Sequence, residues 1–390
     1  MKAPSHSPAR DSLRIWRRWL GAALRDDARR LWRPGADPAA GFPAQALVSV
    51  THRCDSRCTH CNIWDFYRRN PARRADEMTP AEFERFLDRN PQLIQLATTG
   101  GEQYCREDIE AFWLAMDRRG FRTSCGTNAV ATDRIVAREA ALLDRLSGRH
   151  LRNLGVSMDG LGETHDRVRG LRGNFDRAWR LFEWARRQES RYPFYRAEIF
   201  STLTEDNWRE YPRLVEWLIE RGVPTHKLGF CAALPSPHYY GNEDSYRPVR
   251  DRDGLRAMLE ALRRRHAGFG ANYFSESYLA WLRDPAAGVR CRAGTAFGYV
   301  DPFWNVYPCV VRGERLGNLR DFDFDLRGLW RSPAARAFRA DMRRAPCRRC
   351  FNECNRWISL RATSGGLLRI ALRQARRALH GGAARRRWRL

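Results

Sequence analysis

Lysine is almost absent from this chain. Lys2 and Lys227 are the only two among 70 basic residues, so the positive charge is carried by arginine. A GC-rich coding sequence produces such a bias, so the net charge of +25 is not in itself a nucleic-acid signature. Long apolar runs are missing too. No stretch approaches the ~20 apolar residues that a membrane-spanning helix needs. The first residues have neither the apolar core nor the small-residue cleavage site of a secretory signal. Trp16 and Leu20 stand instead among Arg14, Arg17 and Arg18. The expected location is therefore the cytoplasm. Acidic residues are absent from 355–390, which hold ten arginines, while 1–40 hold nine basic and four acidic residues. The charge is concentrated at the two ends, unlike the even basic surface of a dedicated nucleic-acid binder.

At 390 residues, with 43% hydrophobic and 29% charged side chains, the chain can bury a sizeable core in two or three domains. Eleven cysteines is an odd number, which fits poorly with a fully paired disulfide framework. They cluster. Cys54, Cys58 and Cys61 form one group, and Cys291, Cys309, Cys347, Cys350 and Cys354 another, while Cys105, Cys125 and Cys231 stand alone. Gaps of two and three residues between cysteines point to metal or iron–sulfur ligation.

From residue 46 the pattern alternates. Strands are predicted at 47–50, 93–99, 122–128, 154–158, 196–203 and 227–233. Helices are predicted between them at 79–89, 108–118, 133–146, 175–188 and 208–221. Thr79, Pro80 and Glu82 form a capping box at the first helix. Six βα units imply an α/β fold, a partial (βα)6 TIM-type barrel, with chemistry at the C-terminal strand ends. The expected organisation is a basic helical extension at 1–45, a barrel core at 46–234, a helical bridge at 235–290, a small Cys-rich module at 291–354 and a basic tail at 355–390. In the module a hairpin is predicted from 297–300 and 306–309, turning at Pro302-Phe303-Trp304-Asn305, with a helix over 333–343.

Cys54-x3-Cys58-x2-Cys61 directly follows the first strand. Three soft thiolates on one loop can hold three irons of a [4Fe–4S] cluster, or a zinc ion completed by His52 or His60. One βα unit later, the second strand ends in Gly100-Gly101-Glu102. Glycines there let backbone approach a ligand, and Glu102 can accept from an ammonium group.

With these two motifs, the sequence resembles the radical S-adenosylmethionine (SAM) superfamily over about residues 46–354. The resemblance implies that Cys54, Cys58 and Cys61 hold a [4Fe–4S] cluster whose open iron takes the amino and carboxylate groups of SAM. Gly100, Gly101 and Glu102 match the family's methionine-binding motif. His60 stands where the family usually has an aromatic residue. Thr127-Asn128 and Ser157-Met158-Asp159-Gly160, at the third and fourth strand ends, resemble its ribose and methionine contacts. The later cysteines resemble the family's SPASM/twitch module. Cys291, Cys309, Cys347 and Cys350 would hold one auxiliary [4Fe–4S] cluster, with Cys354 spare or replacing one of them. A zinc ribbon is the alternative for this module. The implied mechanism is reductive. An electron donor such as flavodoxin or ferredoxin feeds the first cluster, SAM is cleaved, and a 5′-deoxyadenosyl radical takes a hydrogen atom from the substrate.

Two substrate classes fit, a peptide or a small molecule, with oxidation or dehydrogenation, epimerisation or cross-linking as outcomes. The first 40 residues are too few for a leader-peptide domain, and no cobalamin domain is evident. Cys105 and Cys231 are candidate hydrogen-atom donors to a substrate radical, against the plainer reading of small buried hydrophobes. Cys125 is expected in the core. A non-enzymatic zinc protein with basic arms for nucleic acid is the rival, but it leaves Gly100-Gly101-Glu102 without a role. In the first tail Leu13, Trp16, Leu20, Leu24 and Leu31 fall mostly on one helical face, which is expected to pack on the barrel. In the second, Leu367, Leu368, Ile370 and Leu372 sit among arginines. Packing on the barrel and contact with an anionic membrane surface or acidic partner fit this tail equally.

Overall fold

The computed structural model describes residues 8–32, 43–270, 273–285, 291–345, 347, 350–351 and 358–380. Six parallel strands alternate with helices as the pattern predicts. They are β1 (Gln45–Thr51), β2 (Gln95–Gly100), β3 (Thr123–Thr127), β4 (Arg152–Ser157), β5 (Tyr195–Leu203) and β6 (Leu228–Ala232). β3, β4, β5 and β6 form one continuous parallel ladder, and β1 pairs with β2 in a second. Between the ladders, the Thr98 hydroxyl of β2 donates to the Ser124 carbonyl of β3 at 3.3 Å, and the Trp113 indole donates to that same hydroxyl at 3.0 Å. β1 is buried along almost its whole length, as a strand covered on both faces must be.

The helices around the sheet bury single stripes. The predicted box caps helix α3 (Pro80–Arg89), which follows the short α2 (Phe66–Arg69) and buries Phe83, Phe86 and Leu87. Next come α4 (Ile109–Arg118), α5 (Thr132–Arg145), α6 (Glu163–Arg169) and α7 (Asn174–Arg191). α7 buries Phe175, Ala178, Leu181, Phe182 and Ala185 at helical spacing. Helix α8 starts at Tyr211 rather than 208, with Pro212 in its first turn, and ends at Glu220. α9 (Arg252–Arg265) and α10 (Tyr273–Arg283) follow β6.

The expected hairpin is present as β7 (Phe297–Val300) and β8 (Asn305–Tyr307), but it has a second role. β7 pairs in parallel with β1, from Gln45↔Phe297 to Val48↔Val300, so the Cys-rich segment adds a seventh parallel strand to the barrel edge. The left-handed residue in the hairpin turn is Trp304, at φ 67°. Burial offsets that conformation. The fully buried Trp304 ring lies 5.4 Å from Phe86 and 5.1 Å from Phe324, and its indole donates to Glu82 at 3.2 Å. Short β9 (Gly317–Asn318) pairs with β8, and α11 (Leu326–Trp330) and α12 (Pro333–Arg344) complete the segment.

The tails fold back. Helix α1 (Pro8–Trp32) and helix α13 (Ser364–His380) share one apolar cluster with Ile94 and Phe297. α1 buries Ile15, Trp19 and Ala23, while Leu13, Leu20 and Leu24 point outward. Of the expected face only Trp16 packs partly on this cluster, because the barrel takes the neighbouring stripe of Ile15, Trp19 and Ala23. The Leu31 side chain lies outside the described residues. In α13 Leu367 and Ile370 are buried, and Leu368 and Leu372 are exposed. Among the described residues no helix is long and apolar enough to cross a membrane.

Candidate active site

β1, β2, β3 and β4 end at one mouth, and the three-cysteine loop crosses it. The glycines of β2 make this possible. A Cβ at Gly101 would lie 2.2 Å from the Arg53 carbonyl oxygen, and one at Gly100 (φ 141°) 2.3 Å from that of Thr51. Two backbone bonds close the contact, Gly101 N–H to Thr51 O at 2.9 Å and Glu102 N–H to Arg53 O at 2.8 Å. The glycines therefore serve first to seat the strand end against the cysteine loop.

The loop is held from three further sides. Arg57 and Thr59 N–H groups donate to the Arg169 and Val168 carbonyls at the end of α6, at 3.1 and 2.9 Å. Segment 236–245 clamps it from above. Asn242 Nδ2 donates to the His60 carbonyl at 2.8 Å, and Asn62 N–H to the Tyr240 carbonyl at 2.8 Å. Below, the buried Glu77 carboxylate accepts from the Thr51 hydroxyl at 2.6 Å and His52 N–H at 3.0 Å, and meets Arg106 at 3.3 Å.

Cys54, Cys58 and Cys61 are all unpaired thiols. Burial, then the neighbouring Cys58, push the Cys54 thiol far up and the Cys61 thiol to about 12. Donors are already aimed at the sulfurs. Asn128 Nδ2 lies 3.7 Å from Cys54 Sγ and Arg169 Nη1 lies 3.7 Å from Cys58 Sγ, while the Ser56 hydroxyl, 3.3 Å from Cys58 Sγ, donates to the Arg169 carbonyl at 2.9 Å. Desolvated thiols with cationic and amide donors around them suit thiolates bound to iron, whose positive charge replaces the lost hydration. The residues fit an iron–sulfur group.

His52 sits among aromatic rings. Its buried ring packs edge-on against Phe66 at 4.8 Å and Phe303 at 5.7 Å, and neither nitrogen has a partner. Burial and the nearby His238 and Arg73 lower it to about 3. His60 is half-buried, lowered to about 4 by burial foremost, with Nδ1 unpartnered.

Glu102 is 2% exposed and gathers the mouth. One oxygen accepts from Asn128 N–H at 2.7 Å and the Thr127 hydroxyl at 3.0 Å, the other from Tyr104 N–H at 3.2 Å. Burial raises the carboxyl to about 7 against these bonds, with Asp55 adding to the rise. Asn128 also donates to Asp55 at 2.8 Å. Glu102, Thr127 and Asn128 thus form one connected group beside Cys54.

Asp159 stands apart. Burial would raise it, but Arg169 at 2.6 Å and Thr202 N–H at 2.7 Å hold it below the usual carboxylate range. It orients Arg169 toward Cys58, so its carboxylate is already engaged by protein. Ser157 is half-buried at the end of β4. Cys105 closes a 3₁₀ turn after Glu102, and burial, then Asp55 and Glu102, push its thiol to about 12. Cys231 lies in β6, 3.6 Å from the Thr202 hydroxyl, and Cys125 is buried in the core.

In the second group, Cys309 is buried and accepts from the N–H groups of Val311 at 3.4 Å and Arg312 at 3.3 Å. Burial pushes its thiol to about 12, and nearby Cys291 and Cys347 add to the rise. Cys291 packs against the same apolar cluster as Cys309, and Cys347 packs against the main core. Cys350 is half-buried. Cys354 lies outside the described residues.

Several site residues carry no sequence signal of their own. Arg169 sits on α6, a seven-residue helix too short for periodicity to reveal. Tyr239, whose hydroxyl lies 2.6 Å from that of Thr99 and donates to the Gly100 carbonyl at 3.2 Å, comes from the bridge.

Comparison with known proteins agrees with this geometry. The sequence matches the model of the Radical SAM superfamily over residues 48–218 and that of an iron–sulfur cluster-binding domain, SPASM, over 291–354. It is 25% identical to the Fe-coproporphyrin III synthase of Methanosarcina barkeri over 181 residues, 45% of this chain and 41% of that protein. The same organism's AdoMet-dependent heme synthase is 25% identical over 74% of this chain and 82% of its own length. The PqqA peptide cyclase of Bradyrhizobium diazoefficiens is 24% identical, over 69% and 67%. In fold the chain is similar to Streptococcus suis SuiB, bound to precursor peptide SuiA, with a TM-score of 0.57 at 17% identity over 81% of this chain and 70% of that one. The family implies a SAM-binding [4Fe–4S] cluster and auxiliary iron–sulfur clusters. This chain is an enzyme of the radical SAM superfamily with a C-terminal SPASM iron–sulfur module.

Proposed function

We propose that this enzyme abstracts a hydrogen atom from a peptide or small-molecule substrate, leading to oxidation or dehydrogenation, epimerisation or cross-linking. The carrying observation is the junction of the three-cysteine loop with Glu102, Thr127 and Asn128 at the barrel mouth. When bound, the cluster and SAM supply reductive cleavage to a 5′-deoxyadenosyl radical. Cys54, Cys58 and Cys61 hold that cluster. Glu102 accepts from the SAM ammonium, while Thr127 and Asn128 fix its carboxylate. The Gly100 and Gly101 backbone, His60 and Ser157 line the cofactor. Asp159 acts on it through Arg169. Cys291, Cys309, Cys347 and Cys350 hold one auxiliary [4Fe–4S] cluster, in the twitch arrangement. Cys105, beside Glu102, and Cys231, at the end of β6, are hydrogen-atom donors to a substrate radical. The enzyme is a cytoplasmic oxidoreductase served by a flavodoxin or ferredoxin. Similarity to a peptide cyclase and to heme synthases supports both substrate classes.

The test is anaerobic reconstitution with iron and sulfide, a visible spectrum, and chromatography of 5′-deoxyadenosine after reduction with SAM. A brown protein with close to two clusters that forms 5′-deoxyadenosine is expected. A folded, colourless zinc protein refutes the reading. Glu102→Gln keeps an oxygen for Asn128 but loses the charge, so SAM affinity should fall about 5–30-fold with iron unchanged. Unchanged affinity removes Glu102 from the contact.

A further inference from the structure

Among the described residues, six large apolar side chains stand well out of the surface. They are Leu13 at 53% exposure, Leu20 at 37%, Leu24 at 53%, Trp32 at 85%, Leu368 at 58% and Leu372 at 53%. All six lie on α1 and α13, the two helices that pack side by side over the barrel. Leu13, Leu20 and Leu24 are seven and four residues apart and fall in one line along α1. Isolated exposed leucines need no explanation, but a concentration on two adjoining helices does.

The sequences of these two helices are mainly basic. α1 carries seven arginines against three aspartates, and α13 four arginines and no carboxylate. Between α1 and the barrel is a cavity of about 380 Å³, lined by Arg17, Arg18, Arg25, Arg292 and Arg327 against the single carboxylate of Asp26. Trp19, only 2% exposed, also lines it, and its indole N–H has no acceptor. Burial, then Arg14 beside it, pull Arg18 below the usual arginine range. A cavity with crowded cations and an unmatched buried donor is built for an anion. Its floor is Ala44, Ile94 and Ala296, residues that precede β1, β2 and β7. It therefore lies at the strand ends opposite the cysteine loop.

We propose that α1 and α13 form a docking face for an anionic phospholipid surface, with the leucines and Trp32 entering the acyl boundary and a headgroup phosphate entering the arginine cavity. A second copy of the chain suits the face poorly, because it would set arginine against arginine. The lipid surface supplies both apolar depth and negative charge. Docking by this end leaves the barrel mouth pointing away from the bilayer.

The experiment is flotation of the full, reconstituted chain with vesicles of phosphatidylcholine alone and of phosphatidylcholine with an equal part of phosphatidylglycerol. Binding to the mixed vesicles, weak binding to neutral ones, and loss at high salt are expected. Leu13→Glu/Leu20→Glu/Leu24→Glu changes only exposed positions and should reduce binding by at least roughly tenfold. Arg17→Gln/Arg25→Gln should reduce it by roughly thirtyfold, at about 1 kcal/mol per arginine near an anionic surface. Both variants should retain 5′-deoxyadenosine formation. Equal binding to neutral vesicles, or full binding by the leucine variant, overturns the proposal. So does inorganic phosphate that stabilises the chain while mixed vesicles do not bind, which makes the cavity a free-phosphate site. A dimer in light scattering that the leucine variant abolishes, without vesicle binding, assigns the face to a second copy and also overturns it.

Discussion

Gly101→Ala separates two reasons for a glycine at the end of β2. A methyl group there meets backbone, the Arg53 carbonyl oxygen at 2.2 Å and its carbon at 2.8 Å, with Cys54 Cβ at 3.1 Å. Comfortable carbon contacts begin near about 3.5 Å, so the cysteine loop must retreat by roughly 1 Å, and no rotamer change can absorb that. Retreat also strains or breaks the 2.8 Å bond from Glu102 N–H to Arg53 O. Overpacking at about 1–3 kcal/mol and a lost hydrogen bond at about 1 kcal/mol give a cost of about 2–4 kcal/mol. The cost falls on the segment that presents Cys54. The assay is iron and sulfide content in a Cys291→Ala/Cys309→Ala background, where only the first site counts, followed by SAM titration. Reduced iron before any SAM is added is expected. Gly126→Ala is the matched control, because nothing lies within 4 Å of a Cβ there. It should be neutral or slightly stabilising. A Gly101→Ala protein with full iron but weakened SAM binding would refute the loop argument and restore ligand approach as the reason for the glycine.

Two further outcomes follow from buried groups. Arg152 and Glu139 are both fully buried and paired at 2.8 Å, with Tyr104 bonded to the same carboxylate, so Arg152→Met leaves a buried charge unpaired. A loss of about 3–5 kcal/mol in urea unfolding is expected, and a loss below about 1 kcal/mol would show that the pair adds little. Cys291→Ala/Cys309→Ala should halve the iron and spare 5′-deoxyadenosine formation, because Cys54, Cys58 and Cys61 are left unchanged. Cys347→Ala should act alike, as a proposed ligand of the same cluster. Full iron in the double variant refutes the second cluster, and full iron in Cys347→Ala removes that residue from it.

Local signals were strongest where one requirement acts on neighbouring residues. The capping box at Thr79 is complete within four residues and formed as written. The six barrel strands were legible because each buried run is bounded by helical periodicity. The role of β7 was not legible. A short apolar strand reads alike in an isolated hairpin and beside β1, and only the register Gln45↔Phe297 distinguishes them. The left-handed Trp304 ran against local preference, because the pocket formed by Phe86 and Phe324 outweighs the backbone cost. In α1 two apolar stripes competed. The winner was set by the surface beneath, where Trp19 meets Ile94 and Phe297.

The sequence by itself determined the chemistry that close spacing encodes. Cys54, Cys58 and Cys61 must stay within reach of one another, and Gly100-Gly101-Glu102 must directly follow the apolar run before them, because the chain joins them. Tertiary structure decided what connectivity leaves open. It brought Asn128 to Cys54 and Arg169 to Cys58, set Glu102 between Thr127 and Tyr104, and placed Cys291 and Cys309 in one apolar cluster. Those meetings join residues far apart in the chain, and they depend on strand order and on which helix face is buried. Both are fixed by the packing of the whole barrel and not by any local stretch.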